Sequence, residues 1–147
     1  MTSIRNTHFK ELKNIYEMGY QSHIGEFLSI KSLETHEIDF KKDSVIYLSI
    51  ISTSGLLAGY IILCKEKQSK TVQLKRILID EKYLGKGQEA MISLESHCIR
   101  ELKSNHIWLD VYKTNSKAIY VYEKLGYKKF KQNIQNSKLV LFYEKKL

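Results

Sequence analysis

Residues 72–102 read VQLKRILIDEKYLGKGQEAMISLESHCIREL, and the hydrophobic pattern changes once along them. The first part, Val72 to Asp80, is rich in Val, Ile and Leu and predicts a β-strand. Further on, apolar residues recur every three or four positions, as on one face of an amphipathic helix: Met91, Leu94, Cys98 and Leu102. Gly85 and Gly87 lie between the two patterns. The stretch therefore predicts a strand that runs through a glycine-bearing loop into a helix.

Upstream of this stretch, the sequence predicts two helical segments followed by a pair of strands. Thr7 is the expected N-cap of the first helix, and a weaker helical pattern covers about residues 25–37. Residues 45–51 and 57–64 are rich in β-branched and aromatic residues, and Ser54-Gly55 between them is typical of a turn. We expect an antiparallel hairpin here.

Downstream, the pattern predicts a strand, a helix and a further strand. Residues 107–111 are nearly all apolar, which is typical of a strand buried on both faces. Residues 115–125 form the predicted helix, and Gly126 is expected at its C′ position. Residues 139–143 form the last predicted strand. Helices that alternate with strands indicate a mixed α/β (α+β) fold with one layer of sheet, and residues 1–147 are long enough for a single domain.

The charge of the chain restricts its partners only weakly. The net charge is +8, from 24 basic and 16 acidic residues. The lysines are scattered, and the densest group, Lys128, Lys129 and Lys131, follows a predicted helix end. Because no basic stripe is interleaved with stacking aromatic residues, we do not expect a nucleic-acid partner. A solvated surface accounts for the charge, and a polyanionic cofactor would use part of it.

Targeting and metal-binding signals are not apparent in the sequence. No apolar run approaches the length of about 18 residues that a membrane span needs, and the first ten residues do not resemble a signal peptide. We therefore expect a cytoplasmic protein without a membrane partner. Cys64 and Cys98 have no Cys or His at metal-binding spacing, so free buried thiols are expected and no metal site.

The glycine-bearing loop is a candidate anion site. The first turn of a helix has unpaired N–H groups and the positive end of the helix dipole, a combination that binds pyrophosphate. Gly85 and Gly87 would allow the main chain to approach phosphate oxygens closely. The loop matches neither the P-loop nor the dinucleotide-binding fingerprint, and a plain turn is the alternative interpretation.

Three segments together resemble the signatures of one enzyme superfamily. They are LKRILIDEKYLGKG at 74–87, HIWLDV at 106–111 and NSKAIYVYEKLGY at 115–127. In this order they resemble GNAT acetyltransferases, and most of all the ribosomal-protein N-terminal acetyltransferases and their relatives. The resemblance implies a mostly antiparallel mixed sheet with helices on both faces and a splayed central strand pair. It also implies acetyl-CoA as cosubstrate, an amine as acceptor and an N-acetyltransferase activity.

The resemblance also implies which residues bind acetyl-CoA. The main chain of the strand would bind the pantetheine arm, with the Ile79 N–H facing the thioester carbonyl, and the loop would bind the pyrophosphate. Asn115 would be a further contact, although an N-cap is the commonest role of an Asn at a helix start. The implied cofactor-binding residues are Ile77, Leu78, Ile79, Leu84, Gly85, Lys86, Gly87, Gln88, Glu89, Asn115 and Tyr122.

The loop departs from the family pattern Gln/Arg-x-x-Gly-x-Gly/Ala. An ungapped match places Leu84 and Glu89 at the first and last positions of that pattern. Alternatively, Gln88-Glu89-Ala90-Met91 corresponds to the residues after a longer loop, with two residues lost here. Either way, Glu89 adds a negative charge near the expected pyrophosphate, so that CoA binding is weakened or Glu89 points away.

Two residues are candidates for proton transfer. Asp110 is the expected general base, because burial in an apolar strand raises the pKa of a carboxylate toward a useful value. Tyr122 is the expected general acid, because a phenol is neutral and donates at pH 7. Related N-terminal acetyltransferases have Glu at the first position, so a water molecule could bridge the shorter Asp. The alternatives are a strand-ending Asp110 and a core aromatic Tyr122.

The acceptor cannot be read from the sequence. In this superfamily the N-terminal helices and the final hairpin build the acceptor groove. Glu34, Glu37 and Asp39 could attract a cationic amine or form a solvated face. A protein N-terminus, a lysine, a polyamine, an aminoglycoside and an amino sugar all stay open, and the alternative function is a non-catalytic, regulatory CoA-binding module. The chain could be a monomer or, through the edge of its final strand, a homodimer.

Overall fold

A computed structural model describes residues 2–21, 23–24 and 28–147. In this part of the chain the helices are α1 (Leu12–Met18), α2 (Leu33–Phe40), α3 (Gly87–Arg100) and α4 (Ser116–Lys124). The strands are β1 (Ser3–Asn6), β2 (Val45–Ile51), β3 (Leu57–Cys64), β4 (Thr71–Ile79), β5 (His106–Tyr112), β6 (Lys128–Gln135) and β7 (Lys138–Lys146). The seven strands form one sheet in the order β1-β2-β3-β4-β5-β7-β6. Neighbouring strands are antiparallel except β4 and β5, which are parallel.

Helices cover both faces of this sheet. Under α1 and α2, a hydrophobic cluster joins the two helices to β2, β3 and β4 through residues such as Leu12, Ile15, Tyr47, Tyr60 and Leu78. Under α3 and α4, a larger cluster includes Leu48, Leu63, Met91, Leu94, Ile107 and Leu109. The strands β2, β3 and β4 therefore have buried apolar side chains on both faces, and the expected α+β architecture with helices on both faces is confirmed.

A bulge interrupts β4 next to β3. Leu63 pairs with Leu74 and Ile62 pairs with Arg76, so Lys75 is an extra residue without a partner opposite it on β3. A bulge of this kind bends the strand that carries it and increases the local twist. It therefore redirects the second half of β4.

The strands β4 and β5 separate at the same point. They pair only from Thr71 to Leu74 against His106 to Leu109, whereas β5 pairs with β7 along its whole length. Beyond Leu74 and Leu109 the two strands diverge, which confirms the splayed central pair. The gap opens toward the carboxyl ends of β4 and β5, where the loop before α3 and the start of α4 lie.

Gly59 allows β3 to approach the second half of β4 closely. A Cβ atom at this position would lie 2.3 Å from the Leu78 carbonyl oxygen and 3.1 Å from the Ile79 Cα. Both are main-chain atoms, so a larger residue would displace β4 just where it leaves β5. The glycine thus fixes the position of the splayed segment.

The N-terminal segment differs from the prediction in two respects. Thr7 is not a helix cap: its hydroxyl bonds the Ser49 hydroxyl at 2.8 Å because β1 places it beside β2, and α1 begins only at Leu12, after a short 3₁₀ helix. The second predicted helix, 25–37, includes residues 25–27, which lie outside the described residues. The observed helix α2 begins later, because Ser32 accepts a bond from the Thr35 N–H at 3.1 Å and caps it.

The C-terminal half differs from the prediction at its strands. Only one face of β5 is fully buried: Ile107, Leu109 and Val111 are buried, whereas Asp110 on the other face is exposed, so the prediction of a strand buried on both faces is wrong. The strand β6 was not predicted because all of its residues are exposed and lack an apolar alternation, and it carries the Lys128, Lys129 and Lys131 group. As β6 lies outside β7, the final strand is not an edge of the sheet.

The hairpin of β2 and β3 and the helix α4 are confirmed. The observed strands have the predicted bounds, 45–51 and 57–64. The helix α4 ends with Gly126 at a φ of 97°, and the Tyr127 N–H bonds the Tyr122 carbonyl at 3.0 Å. This is the bonding pattern of a Schellman motif. None of the described helices has the length and apolarity needed to cross a membrane.

Candidate active site

The separation of β4 from β5 opens a cleft of about 880 Å³. Its walls are the second half of β4, the ends of β5 and β7, the first turns of α3 and α4, the segment before α2 and the β6–β7 turn. The predicted site residues that line it are Ile77, Leu78, Ile79, Leu84, Gly87, Asp110, Asn115 and Tyr122. The other predicted loop residues, Gly85, Lys86, Gln88 and Glu89, flank this cleft but are not part of its lining.

The main chain of β4 presents polar groups to the cleft. The Asp80 N–H bonds the Ala58 carbonyl of β3 at 2.8 Å. Because N–H and C=O groups alternate sides along a strand, those of Ile77 and Ile79 point away from β3. The Ile79 carbonyl accordingly bonds the His23 Nε2 at 2.6 Å on the cleft side. The free edge of β4 is therefore positioned to donate to a bound ligand.

The glycine-bearing loop is a tight turn that leads directly into α3. The Lys86 N–H bonds the Tyr83 carbonyl at 3.2 Å, and Leu84 has φ −55° and ψ 142°. Gly85 follows with a φ of 95°, which makes this a type II turn and requires glycine. The helix begins at Gly87 without a side-chain cap. Its first N–H groups are thus open to an anion at the end of the cleft.

Glu89 makes contacts that explain its presence in this loop. Its carboxylate accepts the Thr2 N–H and the Lys86 ammonium, each at 3.1 Å, and the Ser93 hydroxyl bonds the Thr2 carbonyl at 3.1 Å. The bonds from Lys86 and then Thr2 lower the pKa of Glu89. The side chain thus ties the start of the chain to α3, and its charge is balanced by Lys86.

Asn115 connects the cleft to the start of α4. Its side-chain oxygen accepts the Ala118 N–H at 3.3 Å, so the residue is the N-cap of the helix. It also lines the cleft. The N-cap interpretation is confirmed, and one side chain both fixes the helix start and borders the ligand space.

Tyr122 approaches the cleft from α4. The side chain is half-buried, and its ring lies 5.8 Å from the ring of Tyr127 between centroids. Burial, and to a lesser extent the negative charge of Asp110, raises the pKa of Tyr122 to about 12. The phenol therefore keeps its proton at neutral pH and can donate it within the cleft.

Asp110 approaches the cleft from the opposite face of the sheet. Its neighbours Leu109 and Val111 are buried under α3 and α4, so its side chain lies on the side of α1 and α2. Desolvation by the surrounding protein raises the pKa of Asp110, and the charge of Lys75 opposes that rise. Asp110 is nevertheless exposed to solvent, so the expectation of a carboxylate inside a fully buried strand is wrong.

Several lining residues had no signal in the sequence. They come from four separate segments: His23 and Asn136 belong to no motif, and Lys75, Arg76 and Lys117 lie inside the quoted motifs but had no role assigned to their side chains. Lys75 and Arg76 lie at the bulge of β4, and Asn136 lies in the β6–β7 turn with a φ of 52°. The three-dimensional fold alone brings these side chains together.

Comparisons with known proteins agree with this fold. The model of the Acetyltransferase (GNAT) family matches residues 9–127. A spermidine N-acetyltransferase from Vibrio cholerae, in complex with CoA and spermine, superposes with a TM-score of 0.84 at 16% identity, over 99% of this chain and 95% of that chain. The aminoglycoside acetyltransferase AAC(6′)-Ib, in complex with coenzyme A and kanamycin, has a TM-score of 0.82 at 18% identity, over 99% and 95% of the two chains. A search of the curated proteins finds no match.

The family match gives the class of protein, an acetyltransferase. The chain belongs to the GNAT family of acetyltransferases. The solved structures, at 16% and 18% identity, agree with the fold and do not single out the ribosomal-protein acetyltransferases within that family.

Proposed function

We propose that this acetyltransferase transfers the acetyl group of acetyl-CoA to a primary amine by direct attack. The observation that carries the proposal is the gap between β4 and β5, with Asp110 on one face of the sheet and Tyr122 on the other. A thioester held in the gap would be accessible to an amine from one side and to a proton donor from the other.

Acetyl-CoA would bind mostly to main-chain groups. We assign the pyrophosphate to the N-terminus of α3 and the loop before it, residues 84–89. The pantetheine arm would lie along the free edge of β4 at Ile77, Leu78 and Ile79, with Asn115 opposite. Crystal structures of two proteins of similar fold contain CoA, which supports this assignment.

Asp110 would make the amine nucleophilic. A primary amine is protonated at neutral pH, and its lone pair becomes available only when a base removes the proton. The raised pKa of Asp110 makes it a stronger base than an ordinary carboxylate. Because its side chain is short, the proton would pass through a water molecule, for which the solvent-exposed cleft has room.

The amine lone pair would then attack the carbonyl carbon of the thioester. The carbonyl oxygen becomes an oxyanion, and the Ile79 N–H would stabilise it as a pre-positioned donor. When the tetrahedral intermediate collapses, the C–S bond breaks and the sulfur leaves as a thiolate. Tyr122 would donate its proton to the sulfur, and the attacking nitrogen would lose its second proton, through water, to the phenolate left on Tyr122. The products are then CoA and the N-acetylated amine, and Asp110 returns its proton to solvent.

The acceptor classes that stay open are a protein N-terminus, a lysine side chain and a small-molecule amine. The likeness of residues 74–127 to the ribosomal-protein N-terminal acetyltransferases supports the first class. The whole chain would act as one acetyltransferase domain, as a monomer or a homodimer. In a homodimer the exposed strand β6 is the sheet edge available for contact.

The test is thiol release from acetyl-CoA with a panel of amines, with the acetylated product identified by mass spectrometry. We expect amine-dependent thiol release and a mass increase of one acetyl group on the amine. CoA binding by calorimetry without turnover on any amine would instead favour the non-catalytic, regulatory CoA-binding module.

A further inference from the structure

Among the residues that the structure describes, the charged ones that line the cleft are mostly basic. They are Lys75, Arg76 and Lys117, and the acidic residue among them is Asp110. Lys117 lies in the first turn of α4, next to Asn115, where the proposed function places CoA. The other two cations lie at the bulge of β4, where Lys75 is close enough to Asp110 to oppose the rise of its pKa, and Arg76 is the next residue along the strand. Within the described part of the chain, a ligand in this second region therefore meets the positive charges of Lys75 and Arg76 and the negative charge of Asp110.

The position of Arg76 assigns it to the acceptor end of the cleft. Its guanidinium donates to the Ser29 carbonyl at 2.9 Å and contacts the Ser29 hydroxyl at 3.4 Å. Ser29 belongs to the segment before α2, on the face of the sheet opposite to α3 and α4. Arg76 also precedes Ile79 by three residues, or about 10 Å of strand. The expected pyrophosphate lies beyond Ile79, so this cation is too far away to bind it.

The charge of Arg76 is not neutralised within the described residues. Both of its hydrogen-bond partners are uncharged, and the ion pairs in the described part of the chain involve neither Arg76 nor Lys75. Burial, then the positive charges of Lys31 and Arg76, lower the pKa of His36 to about 4. The positive electrostatic potential of Arg76 thus extends to the face of the sheet covered by α1 and α2, where it would stabilise an anionic group of a ligand.

The acidic residues of α2 do not offset this field in the cleft. Glu34, Glu37 and Asp39 are not among the residues that line it. Asp39 is paired with Lys31, and with Lys42 at 3.0 Å. The expectation that these carboxylates attract a cationic amine is therefore not supported by their placement.

On the basis of the proposed function, we infer that the acceptor carries a carboxylate close to its amine, as an amino acid does. Arg76 binds the carboxylate, since a guanidinium matches its two oxygens, and Lys75 adds a second positive charge. Asp110 then receives the proton of the neighbouring amine. This acceptor differs in charge from spermine and kanamycin, which the two proteins of similar fold bind.

The first experiment compares amines that differ only in the carboxylate. In each pair a methyl group replaces the carboxylate: β-alanine with propylamine, 4-aminobutyrate with butylamine, and leucine with 1,3-dimethylbutylamine; spermine and kanamycin represent polycations. We expect kcat/KM to be about ten- to a hundredfold higher for the carboxylate member of at least one pair, the range for a charged hydrogen bond. Equal or better turnover of the simple amines or the polycations would overturn the inference, and leave the proposed function intact. Turnover of no amine would contradict the proposed function itself.

The second experiment uses Arg76→Gln, with Arg100→Gln on the outer end of α3 as a control for the same loss of charge. We expect Arg76→Gln to remove the preference for the carboxylate member, to leave simple amines within about threefold, and to leave the Kd for CoA unchanged. An equal loss for both members of each pair, or weaker CoA binding, would contradict the role of Arg76. If Arg76→Gln is unfolded in a thermal scan, Arg76→Lys replaces it. Lysine keeps the positive charge but cannot donate two parallel hydrogen bonds, so this variant should reduce the preference for the carboxylate member without abolishing it.

Discussion

The two ends of the cleft are built in different ways. The end at α3 and α4 consists of a type II turn at Gly85, a helix N-terminus at Gly87 and a helix cap at Asn115. The acceptor end consists of side chains from separate segments, among them His23 and Arg76. Turns and caps require particular residues at fixed spacing, whereas side chains that converge from distant segments do not. The sequence could therefore predict the cosubstrate but not the acceptor.

The largest effect is expected at the α4 side of the cleft, from Tyr122→Phe. Without the phenol proton the thiolate leaves unprotonated, so kcat should fall about a hundredfold while KM for acetyl-CoA changes little. Because the pKa of Tyr122 is raised to about 12, the wild-type rate should show no loss from this group up to about pH 10. Steady-state kinetics across pH measure both. Tyr120→Phe is the matched control, since Tyr120 is exposed on the same helix, and it should behave as wild type.

A smaller effect is expected at the acceptor end, from His23→Leu. The variant removes the 2.6 Å bond to the Ile79 carbonyl and frees the peptide bond after Ile79. We expect kcat to fall about tenfold, because a loosely held strand edge positions the thioester less well. Since a Gln side chain can also donate a hydrogen bond, His23→Gln should recover part of the loss. Kinetics of the two variants with one amine test this, and equal activity of both would contradict the positioning role.

Glu89→Gln should have a modest effect at the CoA end, in the favourable direction. The substitution removes a negative charge near the expected pyrophosphate and releases the Lys86 ammonium from its 3.1 Å ion pair. The Kd for CoA should fall by up to about fivefold, as expected for an exposed charge pair. Calorimetry measures it, with Glu101→Gln at the other end of α3 as the control. Weaker binding would mean that the tie to Thr2 matters more than the charge.

The smallest effect concerns the pH dependence of the acceptor end. Lys75 lowers the pKa of Asp110, so Lys75→Met should raise that pKa. A base works only when it is deprotonated, so the acidic limb of the kcat profile should move to higher pH. Both pH profiles use the same amine, so the titration of the acceptor affects them equally. Lys70→Met at the far end of β4 is the control. A limb that stays in place would indicate that Asp110 is not the base.

The sequence was sufficient for the elements whose hydrophobic pattern is strong. The strands at 45–51 and 57–64 have the predicted bounds, and the helix closed by Gly126 differs from its prediction, 115–125, by one residue at each end. The strand β6 was missed because its exposed, lysine-rich residues have no alternation to detect. Thr7 was misassigned because its partner, Ser49, lies on a strand that is distant in sequence.

The candidate site was likewise predicted only in part. The motifs pointed to Asp110, Asn115 and Tyr122, and the fold brings all three to one cleft. The contact of Glu89 with Thr2 depends on a strand at the start of the chain that no pattern indicated. The basic residues at the bulge were invisible because the register of β3 and β4 is a property of the folded sheet.

The most direct measurement is a crystal structure of the protein with CoA, and in particular the distance from the CoA sulfur to the Tyr122 hydroxyl. We expect the pantetheine amides to bond the main chain of Ile77 to Ile79, and the sulfur to lie within hydrogen-bonding distance of Tyr122. A sulfur outside the gap between β4 and β5, or a pantetheine arm away from the free edge of β4, would contradict the proposed mechanism.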